Sequence, residues 1–347
     1  MLETIQNFLN TTGISQMMIG DTPAWKYIAM WVIIGVLFYL AVVKKFEPLL
    51  LLPIAFGMLL ANLPGANLFH SEFFFGDTVD FGAVLHNGGL LDLIYLGVKL
   101  GIYPSIIFMG VGAMTDFAPL IADPKSLLLG AAAQFGVFAA FTGALALGFS
   151  PEAASAIGII GGADGPTAIL VTKILAPTLL GAIAIAAYSY MALIPVIQPP
   201  LMKALTTKRE RTIHMERPRT VKKIEIVLFP IVVTLVVSLI VPSATPLVGF
   251  LMLGNLFNVS GVTESLSKTV QNELINITTV LLGVSVGGTA NANNFLSMQT
   301  IKILVLGVAA FALSTVGGLL LGFAKDYRVQ AATNDYLKSL PHRSLGL

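Results

Sequence analysis

Apolar runs close to the length of a membrane-crossing helix recur along this chain and constrain its fold more than any other feature. The first, "WKYIAMWVIIGVLFYLAVV" (about Trp25 to Val43), stops at Lys44 and Lys45. A helix needs about 20 such residues to cross the hydrocarbon layer. In that solvent every backbone amide must find a partner within the protein, which leaves helices and closed barrels as spanning structures. Further apolar segments lie near 46–63, 90–115, 126–149, 151–173, 177–204, 224–241, 244–258, 274–290 and 299–324. With 56% hydrophobic and 11% charged residues, and a mean hydropathy of +0.85, the whole chain departs from soluble composition. The expected fold class is an all-α polytopic membrane protein.

Charge orients the segments. Nothing basic precedes Lys26, whereas Lys44 and Lys45 close the first run. The positive-inside rule therefore puts the N-terminus outside and Lys44 in the cytoplasm, as in a multi-pass protein of the cytoplasmic (inner) membrane. The polar opening "MLETIQNFLNTTGISQ" has no base ahead of a hydrophobic core and does not read as a cleaved signal. A second anchor, "KRERTIHMERPRTVKK" at 208–223, is strongly basic and divides the chain into halves. The expected organisation is an extramembrane segment at 1–24, a first half at 25–205, a basic cytoplasmic loop at 206–223, a second half at 224–324 and a polar tail at 325–347. Counting crossings from Lys45 to Lys208 closes only if 151–173 enters and leaves by the same face, as a re-entrant hairpin broken between Gly161 and Pro166. Segment 90–115 carries breaks at Gly101 and Pro104. Broken backbone at membrane depth is tolerated where protein or water surrounds it.

The halves resemble each other. "IIFMGVGAMTDFAPLIADPKSLLLGAAAQFG" from Ile106 parallels "TVLLGVSVGGTANANNFLSMQTIKILVLGVAAFA" from Thr279, with Gly110 on Gly283 and, after a four-residue insertion, Gly130 on Gly307. "PLLLLPIAFGMLLANLPG" from Pro48 parallels "PLVGFLMLGNLFNVSG" from Pro246. The crossing count runs the Ile106 segment inward and the Thr279 segment outward, so the repeats have inverted topology. Inverted repeats with broken helices belong to transporters whose sites lie at the midplane.

"GIIGGADGPTAI", 158–169, places one carboxylate, Asp164, within a helix-breaking stretch. An intramembrane acid costs a few kcal/mol, about 2.5–3.5 on insertion scales, and is a functional candidate by default. Gly161, Gly162 and Gly165 let the backbone approach a small ligand, and Pro166 suits the first turn of a second half-helix. Freed carbonyls beside a carboxylate make a hard-oxygen site for a small cation. Asp164, Gly161, Gly162 and Thr167 are the ion-binding candidates, with Asp164 as the charged ligand of the cation. Asn291 and Asn293, in the "NANN" turn of the second repeat, are further candidates, although asparagine favours turns on its own account. The stretch lacks the G-K-[ST] end of a phosphate loop.

"GVGAMTDFAPLIADPKS" followed by "GIIGGADGPTAI" resembles the beta subunit of the sodium-translocating, biotin-dependent decarboxylases that act on oxaloacetate, methylmalonyl-CoA and glutaconyl-CoA. The resemblance covers about Trp25 to Ala324. It implies a membrane subunit that decarboxylates carboxybiotin held on a biotin carrier, exports sodium and consumes a proton from the opposite side. Its cofactors are then sodium ion and carboxybiotin. Its partners are carboxyltransferase and biotin-carrier subunits, a small membrane subunit and lipid, within an oligomer. The family's essential aspartate falls on Asp164 and its functional tyrosine on Tyr190, in "AAYSYMAL"; both are the catalytic candidates. One departure stands out: the repeat offset places a second glycine-rich hairpin near residue 328, where "KDYRVQAATNDYLKSLPHRSLGL" is polar and charged. The second half is therefore expected to be incomplete and the tail atypical, whether the chain is frame-altered, shortened or a natural variant, with an inactive chain among the outcomes.

The remaining features narrow the classes. Net charge is +2 with its base gathered in one loop, which forms no nucleic-acid patch. Absence of Cys removes disulfides, thiolate metal sites and thiol nucleophiles, and the four histidines are scattered. Asp116 and Asp123 read as solvated loop acids. Asp92 and Lys99, seven apart on one helical face, read as a snorkelling interfacial pair. The alternative function is a sodium-coupled secondary carrier of organic anions.

Overall fold

Prolines and glycines mark many of the helix starts in the apolar runs, while Pro53 and Pro230 lie inside helices. The computed structural model describes residues 10–19, 22–45, 48–74, 79–162, 165–207 and 219–339. Among these there is no strand. Pro23 precedes α1 (Ala24–Phe38), which runs on as a π turn to Val43. Then come α2 (Pro48–Ala61), α3 (Leu90–Lys99), α4 (Ile102–Met114), α5 (Leu127–Ala133) and α6 (Phe135–Ala146). They are followed by α7 (Pro151–Gly158), α8 (Gly165–Leu175) and α9 (Leu180–Leu205), the last before the basic loop. The second half holds α10 (Lys223–Ile240), α11 (Thr245–Val259), α12 (Ile275–Gly288) and α13 (Met298–Ser339), the last running unbroken across residues 324 and 325.

Length sorts these helices into a perimeter and a centre. Ala24–Val43, Pro124–Ala146, Lys223–Ile240 and Met298–Leu321 are long and apolar enough to cross a membrane, and at most 28% of each apolar stretch is buried. Exposed apolar side chains such as Leu235, Leu239 and Ile240 face the space a bilayer fills. The shorter α2, α4, α11 and α12 pack against one another, backbone on backbone. A methyl at Gly57 would overlap the Val284 carbonyl, and one at Gly287 the Ile54 carbonyl. The same holds for Gly112 against Leu251 and Gly254 against Met109. Small residues at crossings are how membrane helices approach when hydrophobicity supplies no force between them. Asn62 extends the first crossing by donating to the Ala290 carbonyl at 2.8 Å. Asn255 extends the second by donating to Gly112 and Thr115 carbonyls at 3.2 and 2.8 Å. Along α2 and α12 the contacting numbers rise together, from Leu50 with Gly283 to Asn62 with Ala290, so these helices run parallel. The matched sequences thus pair crosswise: α2 sits on α12, and its counterpart α11 sits on α4.

The expected break in 90–115 occurs at Gly101, in the left-handed region at φ 81°, where α3 and α4 meet at a 59° bend. Pro104 makes no break. It lies in the first turn of α4, where a missing N–H costs nothing. Asp92 and Lys99 do share a face, but they are not snorkelling. The outer loop folds back over α3, so Asp92 is fully buried and accepts from the His70 amide (2.8 Å), the His70 ring (2.6 Å) and the Gly89 amide (2.8 Å). Lys99 donates to the Phe74 carbonyl at 2.7 Å. Phe69, Phe74 and Tyr95 pack edge-on and stacked beneath, with centroids 4.8–5.8 Å apart. Asp116 and Asp123 cap short turns by accepting from Ala118 and Lys125 amides.

Gly112→Ala or Gly254→Ala should destabilise the protein by about 1–3 kcal/mol through overpacking. Gly130→Ala, which meets nothing within 4 Å, should be neutral or slightly stabilising. Thermal unfolding in detergent distinguishes them. Asp92→Ala should cost about 3–5 kcal/mol, because the amides and His70 keep their burial and lose their acceptor; the same assay measures it.

Candidate functional site

The hairpin at 151–175 is built by local chemistry. Ser150 caps α7 by accepting from the Ala153 amide, and Pro151 occupies the first helical position. After Gly158 the backbone tightens into a 3₁₀ turn over Ile159–Gly162, and α8 starts at Gly165. Asp164 lies outside the described residues, between the two described glycines Gly162 and Gly165. Gly161 is buried and Gly162 exposed; Thr167 is half-buried one turn into α8.

The depth of this turn follows from what it touches. A methyl at Gly161 would stand 2.9 Å from the Gly136 carbonyl carbon and the Val137 amide. Gly136 in turn has no room for a methyl because Ser314 and Ala310 of α13 fill it. Ser314 Oγ donates to the Gly161 carbonyl at 2.6 Å. Gly136 lies near the middle of the span Pro124–Ala146, and Ser314 is interior to the span Met298–Leu321. Both ends of the hairpin return toward the start of α13. At one end Lys302 donates to Leu147 at 3.1 Å, and at the other Leu179 shares a cavity wall with Thr300. Both ends of this segment thus lie near the start of α13, while Gly161 packs against Gly136 and Ser314 farther along their helices.

Tyr190 lies in α9, whose earlier residues Ile183, Ala184, Ala186 and Ala187 are buried; its side chain falls outside the described residues. Gln198 of α9 donates to Thr315 at 3.4 Å, which ties α9 to α13 beside the residue that holds the tip. Asn291 and Asn293 are elsewhere, in the turn after α12. Asn293 donates to Thr22 (2.8 Å) and accepts from Lys26 (3.5 Å) at the start of α1. This turn adjoins Ala290, which shares a cavity with Thr300. Ser314 is fourteen residues farther along α13 than Thr300, roughly 20 Å by helical rise. The structure thus separates these two asparagines from the hairpin tip.

Among the described residues no three His, Asp or Glu side chains converge. A cation at the tip would therefore draw on backbone carbonyls, hydroxyls and the single acid of the motif, a hard-oxygen set that suits sodium. Sequence reasoning missed Ser314, Gly136 and Gln198. Their signal was polar and small residues inside apolar spans, as in "FALSTVGG".

The family described as the Na+-transporting oxaloacetate decarboxylase beta subunit matches residues 26–336. The chain belongs to this family. Its similarity extends past Ala324, the limit of the motif resemblance, into the last turns of α13. The methylmalonyl-CoA decarboxylase subunit beta of Propionigenium modestum is 53% identical over 330 residues, covering 92% of this chain and 82% of the relative. The glutaconyl-CoA decarboxylase subunit beta of Acidaminococcus fermentans is 54% identical over 298 residues, 86% and 75% of the two chains. The oxaloacetate decarboxylase beta chain of Klebsiella pneumoniae is 50% identical over 331 residues, 82% and 76%. Three different acyl substrates at nearly equal identity mean that similarity in this subunit does not choose among them. As a β subunit of this family the chain is the membrane component of a sodium-transporting decarboxylase, not a stand-alone carrier of organic anions.

Ser314→Ala should loosen the tip by about 1 kcal/mol, the net value of one such bond. In the assembled decarboxylase this should raise the sodium concentration giving half-maximal rate by roughly fivefold while maximal rate changes less. Ser314→Thr, which keeps the hydroxyl, should retain most of the parent's sodium response.

Proposed function

We propose that the chain decarboxylates carboxybiotin presented at its cytoplasmic face and that the hairpin tip carries sodium outward as it does so. The observation that supports this most is the broken backbone of Gly161–Gly165 held at mid-span by Gly136 and Ser314. Asp164 is the charged ion ligand, with the carbonyls of Gly161 and Gly162 and the Thr167 hydroxyl as its neutral companions. The Gly161 oxygen accepts one hydrogen bond and has a second lone pair to offer. When the carboxylate of carboxybiotin leaves as carbon dioxide, the ureido nitrogen keeps the bonding electrons and takes up one proton. Asp164 holds that proton when sodium is absent, and the Tyr190 phenol passes it on. Sodium and proton thus exchange at one carboxylate, which couples the two movements.

The crosswise pairing of α2 with α12 and α11 with α4 supports the inverted repeat, since exchanging the halves maps one pair onto the other. Orientation follows from charge: the chain sits in the inner membrane with its N-terminus outside. The end of the basic loop is braced on the cytoplasmic side, where Arg219 pairs with Glu225 at 2.8 Å and donates to Ile121 at 3.2 Å. The hydrogen bond to Glu225 raises the Arg219 pKa. That basic surface suits an acidic biotin-carrier domain, with carboxyltransferase subunits, a small membrane subunit and an oligomeric assembly completing the complex. Asn291 and Asn293, at the opposite end, would serve as outer ion contacts at most.

Asp164→Asn should abolish sodium-stimulated decarboxylation of carboxybiotin while leaving membrane insertion intact. Unchanged sodium stimulation in that variant would overturn the assignment. Tyr190→Phe should weaken coupling in part, read as decarboxylation rate against sodium moved in proteoliposomes.

A further inference from the structure

A polar cavity of about 470 Å³ lies at the end of the protein where the hairpin begins and finishes. It takes no part in the tip described above. Its deep wall is Thr289 and Thr300, which are 2% and 3% exposed, with Gly181 of α9 packed directly on Thr289. Glu72 and Thr178 stand at its open side. A single water needs roughly 10–15 Å³, so this space holds a hydrated ion with its shell.

Charge fixes which side it faces. Most of the base on these helices is at the other end, where Lys44 and Lys45 precede α2, Lys203 and the 208–223 loop follow α9, and Lys268 precedes α12, against Lys26 and Lys302 at this end. The cavity is therefore on the outer side. It also joins both halves, since α9 and the Ser71–Glu72 loop come from the first and α12 and α13 from the second. The cavity reaches Gly181 and Ala182 of α9, and beyond them Ile183, Ala184, Ala186 and Ala187 are closely packed. Two opposing fields act in the cavity. The first turns of α9 and α13 present partial positive charge of about half a unit each, whereas the α12 C-terminus presents a similar negative one and Glu72 a full negative charge. Ser297 already accepts from the Thr300 amide at 3.2 Å, which engages part of the α13 positive end. Lys302 is turned away onto the Leu147 carbonyl and the Phe149 ring, so Glu72 dominates at the open side and favours a cation.

We propose that this cavity is the outer vestibule through which sodium leaves the protein, with the Glu72 carboxylate drawing the cation into it. This rests on the sodium-export reading above, and the experiment separates the two. The chain contains no cysteine, so single cysteines report without background. Thr178→Cys at the mouth, Thr300→Cys on the deep wall and Lys125→Cys at the opposite face are each assembled with the decarboxylase partner subunits in oriented vesicles. They are treated with membrane-impermeant methanethiosulfonates, one cationic and one anionic of similar size. Thr178→Cys and Thr300→Cys should label from the outer side only, and Lys125→Cys from the inner side only. The cationic reagent should react roughly tenfold faster than the anionic one at Thr178→Cys, and Glu72→Gln should remove most of that difference. Labelled Thr300→Cys should lose most radioactive-sodium export, as should labelled Thr178→Cys if the deep variant does not fold. Labelling of Thr178→Cys from the inner side, or faster reaction with the anion, overturns the vestibule. So does full sodium export after complete labelling. Sodium export absent from the unlabelled parent complex would instead overturn the function on which the vestibule rests.

Discussion

A backbone amide in hydrocarbon must be paired within the protein, and the 3₁₀ turn over Ile159–Gly162, where α7 ends among apolar helices, works against that. Everything near the hairpin tip follows from that conflict. The Gly161 carbonyl, freed where α7 tightens into a 3₁₀ turn, is taken by the Ser314 hydroxyl. Lipid is kept out because Gly136 and Gly161 let α6 and the tip meet at backbone distance. An unsatisfied group there would cost several kcal/mol, comparable with much of a domain's net stability.

The rest of the fold serves to hold that arrangement between two rigid blocks. Parallel crossings of α2 on α12 and α4 on α11 clamp halves of the chain together at four glycines, each facing a carbonyl of its partner. Long helices, mostly exposed, surround them. Packing is bent or polar instead at Gly101, where α3 and α4 meet at 59°, and at the cavity lined by Thr289 and Thr300.

Family membership was legible from two short motifs, because the glycine-rich stretch around Asp164 and the "MTDFAP" turn carry chemistry that packing alone does not require. Crossing parity is what led to the expectation of a re-entrant hairpin. Asp92 was not: a carboxylate seven residues before a lysine looks the same on a snorkelling helix as on one covered by a loop, and only the fold-back of His70 and Phe74 decides. Pro104 was taken for a break because proline interrupts helix interiors, yet three residues past Gly101 it lies in a first turn that tolerates it.

The sequence by itself determined how many apolar segments exist, which ends carry base, where the backbone must break and which family the motifs belong to. These are read from composition along one dimension, and the bilayer makes that reading strong by penalising charge and unpaired amides. Only the tertiary structure decided which helices touch, that Ser314 holds the tip and that the two halves enclose a polar space. In water a helix announces its buried face by amphipathic periodicity. In a membrane both faces are apolar, so the sequence says little about which one meets lipid and which meets protein, and the partners are settled by close packing in three dimensions.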